Sequence, residues 1–204
     1  MTMNDAMSRS AEIERSTAET TISLQLALDG TGAGTRSTGI GFFDHMLDLL
    51  VRHGRLDLTV EARGDLETGG HHTVEDVGIC LGQALDRALG DRAGIYRYGQ
   101  ATVPMDEARA SCAVDISGRG LLAFDAALLP SGAIGEFDYE LTEEFFRAVA
   151  NSAKLTLHIN VRYGTNAHHM IEGCFKAFAR ALRVAVSIDP DESGVPSTKG
   201  TLSE

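Results

Sequence analysis

The sequence predicts a duplicated α+β unit, and three observations predict it. Residues 56–62 (LDLTVEA) alternate apolar and polar side chains as a half-buried strand does, and residues 155–161 (LTLHINV) repeat the pattern 99 positions later. Each strand is followed by a His-His-x-x-Glu segment, His71-His72-Thr73-Val74-Glu75 and His168-His169-Met170-Ile171-Glu172. Each is preceded by an amphipathic stretch, residues 43–53 ending at Gly54 and residues 144–153, at the same offset. The order helix, strand, His-His-x-x-Glu helix therefore occurs twice.

The elements follow in chain order. Ile22, Leu24, Leu26 and Leu28 alternate as a strand before the turn Asp29-Gly30-Thr31-Gly32. After the first helix and strand, Val77, Leu81, Ala84, Leu85, Ala88 and Leu89 form an apolar stripe at helical spacing. Gly90 stops it, giving a helix of about 18 residues from the first His-His pair. Residues 110–116 and 121–127 read as a hairpin around Ser117-Gly118-Arg119-Gly120. The second helix-strand pair then leads into the stripe Ile171, Phe175, Phe178, Ala179, Leu182 and Val186. The expected organisation is an N-terminal tail at 1–12 and repeats at 13–92 and 93–188 within one compact domain. A C-terminal tail at 189–204 carries Pro190, Gly194 and Pro196, and both tails are expected to order only on contact.

Composition narrows the partners. The chain has 204 residues and is 43% hydrophobic, enough for a sizeable core. With 18 Lys and Arg against 29 Asp and Glu, the net charge of −11 argues against nucleic acid, whose phosphates need clustered cations. No stretch approaches the roughly 20 apolar residues of a membrane span, and the polar start lacks a signal core, so a cytoplasmic protein is expected. Cys80, Cys112 and Cys174 lie at no ligand spacing and read as buried free thiols.

The His-His-x-x-Glu segments carry the chemistry. Residues three or four apart share a helix face, so His71 or His72 can stand beside Glu75, and His168 or His169 beside Glu172. Adjacent histidines point about 100° apart, so one segment cannot easily place both imidazoles on one ion. The second imidazole serves a different metal. Two such segments imply two metals, each drawing ligands from more than one helix or more than one subunit, which predicts assembly. Imidazole with carboxylate suits Mn, Fe, Zn or Ni; ligand type alone does not choose. A capping or packing role explains one vicinal pair well, but explains two in register poorly. His45 could add an imidazole, whereas His53, in a helix's last turn, and His158, opposite the apolar face of its strand, read as structural.

Six segments together resemble one family: Gly39-Ile40-Gly41-Phe42-Phe43-Asp44-His45-Met46-Leu47, residues 71–76, Val103-Pro104-Met105-Asp106-Glu107, Asp115-Ile116-Ser117-Gly118-Arg119, residues 168–172 and Pro196-Ser197-Thr198-Lys199-Gly200. In this order they are similar to imidazoleglycerol-phosphate dehydratase of histidine biosynthesis, over about residues 13–200. The resemblance implies helices sandwiched between two four-stranded mixed sheets, 24 subunits in a homo-oligomeric shell, and two Mn²⁺ per active site at subunit contacts. It implies dehydration of imidazole glycerol phosphate to imidazole acetol phosphate through a metal-stabilised imidazolate. By position, His45, His71, His72, Glu75, His168, His169 and Glu172 match metal ligands, Glu19 the acid/base, and Arg97, Arg119, Lys176, Ser197 and Lys199 the substrate's holders, chiefly of its phosphate. The carbon-bound hydrogen is hardly acidic, so an unaided carboxylate near pKa 4 could not take it; electron withdrawal by the ring's metals would make Glu19 competent.

The chain departs from the family pattern at Glu144, where a histidine is usual and which duplicates His45 at the 99-residue offset. Glu144 could ligate through oxygen, could point away and leave water in its place, or could mark a relative with altered substrate or lost activity. Gly69-Gly70 before His71 and Gly120 after Arg119 are lesser departures. A non-catalytic or altered-substrate metal-binding paralogue on the same shell-forming fold is the competing class.

Overall fold

The computed structural model describes residues 9–202. Its first sheet contains β1 (Ser10–Ser16), β2 (Thr20–Ala27), β3 (Arg36–Ser37) and β4 (Asp57–Gly64) in the order β1-β2-β4-β3, with β3 parallel to β4 and the other pairs antiparallel. The second contains β5 (Tyr98–Met105), β6 (Ala108–Asp115), β7 (Leu121–Asp125) and β10 (Thr156–Tyr163) in the order β5-β6-β10-β7, again with one parallel pair at the edge. A short hairpin, β8 (Ala133–Ile134) with β9 (Phe137–Asp138), stands apart.

The helices α1 (Gly41–Gly54), α2 (His71–Leu89), α3 (Leu141–Ala153) and α4 (Ala167–Val186) form the layer between the sheets. Helix α2 lies on β1 and β2, α4 on β5 and β6, while α1 packs on α4 and α3 on α2. The predicted architecture is thus the one found. Leu24, Leu58, Phe43, Val77, Phe145, Leu157, Phe175 and Phe178 are fully buried in one continuous core. None of the described helices is long and apolar enough to cross a membrane.

The duplication extends into backbone detail. Helices α1 and α3 each end on a left-handed residue, Arg55 (φ 54°) and Lys154 (φ 55°), and each is followed by its repeated strand. Ala27 pairs with Asp57 in the first sheet as Asp115 pairs with Thr156 in the second. Counted back along β2 and β6 from Ala27 and Asp115, Thr20 corresponds to Ala108; the one-residue shift in pairing between Val161 and Tyr163 falls in β10. Glu19, in the β1-β2 turn, therefore corresponds to Glu107, in the β5-β6 turn.

Three expectations differ from what is found. Residues 110–116 and 121–127 do not form a hairpin, because β10 lies between β6 and β7 and pairs with both. The turn 117–120 was legible, but the long-range strand that separates its arms was not. Strand β1 begins at Ser10, inside the expected tail, where its ladder with β2 starts at the Ser10-Ala27 pair; residues 1–8 of that tail lie outside the described residues. Residues 189–202 are bound at the junction of the two repeats, by bonds from Arg97 to the Pro196 carbonyl and from Arg92, the last residue of the first repeat, to the Leu202 carbonyl. Strand β5 carries Pro104, which argues against a strand in the sequence and is tolerated here because β5 lies at the edge of its sheet.

Candidate metal and substrate site

The two His-His segments open helices α2 and α4, with unlike starts. The Asn166 side chain caps α4 by accepting from the backbone N–H groups of His168 (2.9 Å) and His169 (3.4 Å). Gly70 precedes α2 and offers no side-chain cap; a Cβ there would crowd Ile40 and the Glu136 carbonyl, so the small residue fits its packing. The imidazoles diverge as helix geometry requires. The rings of His71 and His72 are 6.0 Å apart at 88°, those of His168 and His169 6.1 Å apart at 77°.

One imidazole of each pair faces its own helix's glutamate. Nε2 of His168 is 3.0 Å from Oε2 of Glu172, which is 5% exposed, and Nε2 of His45 on α1 reaches the same oxygen at 3.6 Å. Among the described residues, His45, His168 and Glu172 are the one group of three whose ligand atoms all lie within 4.8 Å of one another. A divalent ion holds nitrogen and oxygen ligands at about 2.0–2.2 Å, so donors sharing it stand roughly 3–4 Å apart, and the separations of both imidazoles from the Glu172 oxygen lie in that range. Lys176 Nζ takes the other carboxylate oxygen at 2.6 Å. Burial pushes the Glu172 carboxyl up, but Lys176 and the two histidines outweigh it and the pKa is lowered. Asp44, accepting from Thr38 N–H (2.9 Å) and hydroxyl (2.7 Å), fixes the turn entering α1 beside His45.

The corresponding group in the other repeat is looser. His71 Nε2 is 3.9 Å from Glu75, and Glu144 lies 3.8 Å from Arg147 Nε on its own helix. Arg147 makes its close contact with Glu143 through Nη2, and Glu144 is only loosely held by it.

The outer imidazoles carry a different feature, which sequence reasoning missed. His72 Nδ1 meets the Asp65 carboxylate at 3.1–3.2 Å, and His169 Nδ1 meets Glu107 at 2.7 Å. The Asp65 hydrogen bond raises the His72 pKa and the Glu107 hydrogen bond raises that of His169. Glu107 itself is held at about 2 by His169 and by the N–H groups of Asn166 and Thr165. A carboxylate at Nδ1 orients the ring and leaves Nε2 outward.

Glu19 is held from its backbone. Its N–H donates to Thr17 Oγ1 (3.1 Å), its carbonyl accepts from Asp65 N–H (3.2 Å), and neighbouring Thr20 donates to the buried Asp76 on α2. The half-exposed carboxylate is left free to point outward, 3.7 Å from His72 Nε2.

Of the five expected substrate residues, Arg97, Arg119, Ser197 and Lys199 line one open cleft of about 870 Å³, while Lys176 lies at the histidine trio instead. Arg97 donates to Asp115 (2.7 and 3.2 Å) and to the Pro196 carbonyl (2.9 Å). Gly120 lies against Asn151, where a Cβ would come within 2.7 Å of its Cα. His53 reads as structural here too: burial, then Lys176 and Arg180, lowers its pKa. The three cysteines are free and buried, and burial raises Cys80 to about 11 and Cys174 to about 12.

The family model described as imidazoleglycerol-phosphate dehydratase matches residues 38–182. The chain belongs to the imidazoleglycerol-phosphate dehydratase family. This places it among the hydro-lyases of histidine biosynthesis. Imidazoleglycerol-phosphate dehydratase of Geobacter metallireducens is 59% identical over 96% of this chain and 100% of the relative, and that of Moorella thermoacetica 58% identical over 97% and 100%. The crystal structure of the Staphylococcus aureus dehydratase matches with a TM-score of 0.80 at 42% identity, over 88% of this chain and 99% of that one. The Pyrococcus furiosus dehydratase matches with a TM-score of 0.79 at 35% identity, over 93% and 99%.

Proposed function

We propose that this chain dehydrates imidazole glycerol phosphate to imidazole acetol phosphate in the cytoplasm, as a homo-oligomer of 24 subunits with two Mn²⁺ per active site. The observation that carries the reading is the convergence of His45, His168 and Glu172 from two helices onto one ion-sized volume, beside outer imidazoles aimed away from it. Diverging imidazoles need ligand partners on other helices, which a second subunit would supply.

His45, His168 and Glu172 would hold one ion together with an outer imidazole of a neighbour, and His71, Glu75 and an outer imidazole the other; Glu144 is a further candidate ligand. A divalent metal held by these residues would supply the electron withdrawal from the substrate's ring that makes the adjacent C–H acidic. Glu19, fixed by its backbone and exposed at its carboxylate, would take that proton as the neighbouring hydroxyl leaves. Arg119, Ser197 and Lys199 would hold the phosphate, and Arg97, tied to Asp115 and Pro196, would shape that cleft. Lys176 would neutralise the buried Glu172 and lie near the same ring.

Glu144, standing where a histidine is usual in the family, favours a second reading, a non-catalytic or altered-substrate metal-binding paralogue. Turnover separates them. Chelated protein should be inactive on imidazole glycerol phosphate and should recover acetol phosphate formation when Mn²⁺ is restored. Absence of turnover in protein shown to be fully metal-loaded would sink the enzyme reading.

A further inference from the structure

Arg92 is 2% exposed and is the one arginine or lysine in the buried class among the described residues. A buried guanidinium is costly unless its donors are used. Arg92 uses Nη2 on the Asp86 carboxylate, which also takes Lys154 Nζ at 2.9 Å, and Nη1 on the backbone carbonyl of Leu202, while its buried Nε has no hydrogen-bond partner. The receiving position is specific. Leu202 is 6% exposed although residues 198–201 before it are exposed. At Gly118 (φ 78°) a Cβ would stand 2.0 Å from the Leu202 oxygen, so the turn next to Arg119 has a gap shaped for this carbonyl. Upstream, Arg97 bonds the Pro196 carbonyl at 2.9 Å. The segment bearing Ser197 and Lys199 is therefore tied at both ends by arginines, across the cleft lined by Arg97 and Arg119.

We propose that Arg92, supported by Asp86, is a positioning residue that latches the chain at Leu202 and thereby holds the 197–201 segment in place to receive the phosphate group of the substrate. The inference rests on the reading of that cleft as a phosphate site. Arg92 touches no substrate; it acts through the ordering of Ser197 and Lys199. A segment held at both ends loses less conformational entropy on binding, so the latch contributes to affinity and leaves the proton-transfer step alone.

The test uses the Mn²⁺-loaded full assembly and two variants: Arg92→Met, and a chain ending at Thr201, which removes the receiving carbonyl together with the buried Leu202 side chain. Both should raise KM and the inhibition constant of inorganic phosphate together by about tenfold, the loss of one charge-assisted bond, with kcat changed less than about twofold. Arg92→Lys, which keeps one donor, should recover part of the loss. Trypsin should cleave after Lys199 faster in Arg92→Met than in the parent, as judged by release of residues 200–204. If Arg92→Met does not fold, the shortened chain decides. Unchanged KM and phosphate inhibition in the shortened chain, with phosphate competing normally in the parent, would overturn the latch. Failure of phosphate to compete in the parent would overturn the phosphate reading instead. In that case an unaltered trypsin rate in folded Arg92→Met would overturn the latch as well.

Discussion

Oε2 of Glu107 lies 2.7 Å from Nδ1 of His169, and this places a carboxylate behind the outer imidazole of the second His-His pair. Asp65 does the same for His72 in the first pair. If Nε2 of each outer ring serves a metal, these carboxylates set its tautomer and direction. Glu107→Ala should then weaken Mn²⁺ affinity by about 10–100-fold, the range for loss of such an orienting partner. Chelator competition on the purified assembly measures this directly. Affinity equal to that of the parent would mean that His169 is oriented without Glu107.

The same pair sets a pH window in metal-free protein. Glu107, lowered from 4.5 to about 2, contributes stability that is present above 4.5 and lost as pH falls through about 2. His169, raised from 6.5, contributes stability present below 6.5 and lost as pH rises through its folded value. The two shifts describe one interaction, strongest between about 4.5 and 6.5. The thermal midpoint of chelated parent minus that of chelated Glu107→Gln should therefore be largest in this window and shrink on both sides. A difference independent of pH from 4 to about 9 would show that the charge pair does not contribute.

Helix α2 meets α3 at glycine. A Cβ at Gly82 would stand 2.6 Å from the Ser152 Cβ and 2.8 Å from the Val149 carbonyl, and one at Gly78 would stand 2.8 Å from the Ala148 Cβ. Gly82→Ala should gain about 1 kcal/mol of helix propensity and lose about 1–3 kcal/mol to overpacking. The expected net result is a lower thermal midpoint, by roughly 2–4 °C per kcal/mol for a chain of this size. A raised midpoint would show that α3 moves aside freely.

Glu144 tests the symmetry of the site. It duplicates His45 but is only loosely held by Arg147 in the single chain. Glu144→His should shift metal content or the preference between Mn²⁺ and Zn²⁺, because imidazole replaces oxygen at the position that duplicates His45. Element analysis after dialysis against mixed metals measures this, and identical content and activity would mean that the position does not ligate.

The sequence showed the parts that local periodicity encodes. Helices α2 and α4, strands β4 and β10 and the divergence of each His-His pair follow from spacing of apolar side chains and from helix geometry. Parts that depend on distant pairing were not legible. Strand β10 inserts between β6 and β7, and Pro104 hides an edge strand whose Gly99 lets it approach α4 within a distance that no Cβ would allow. The carboxylates behind the outer imidazoles were likewise hidden. Asp65 and Glu107 sit in turns before α2 and between β5 and β6, and only folding brings them to His72 and His169. Four of the five expected substrate residues converge on one cleft, but Lys176 does not, because its helix face carries it to Glu172.

Glu19→Gln tests the proposed activity most directly. The side chain is half-exposed, and its backbone bonds do not involve the carboxylate, so fold, assembly and Mn²⁺ content should match the parent. Turnover of imidazole glycerol phosphate, measured as acetol phosphate formed by fully loaded enzyme, should fall by about 10²–10⁴-fold, the contribution of a positioned acid/base. Parental turnover in Glu19→Gln at equal metal content would contradict Glu19 as the group that takes the proton.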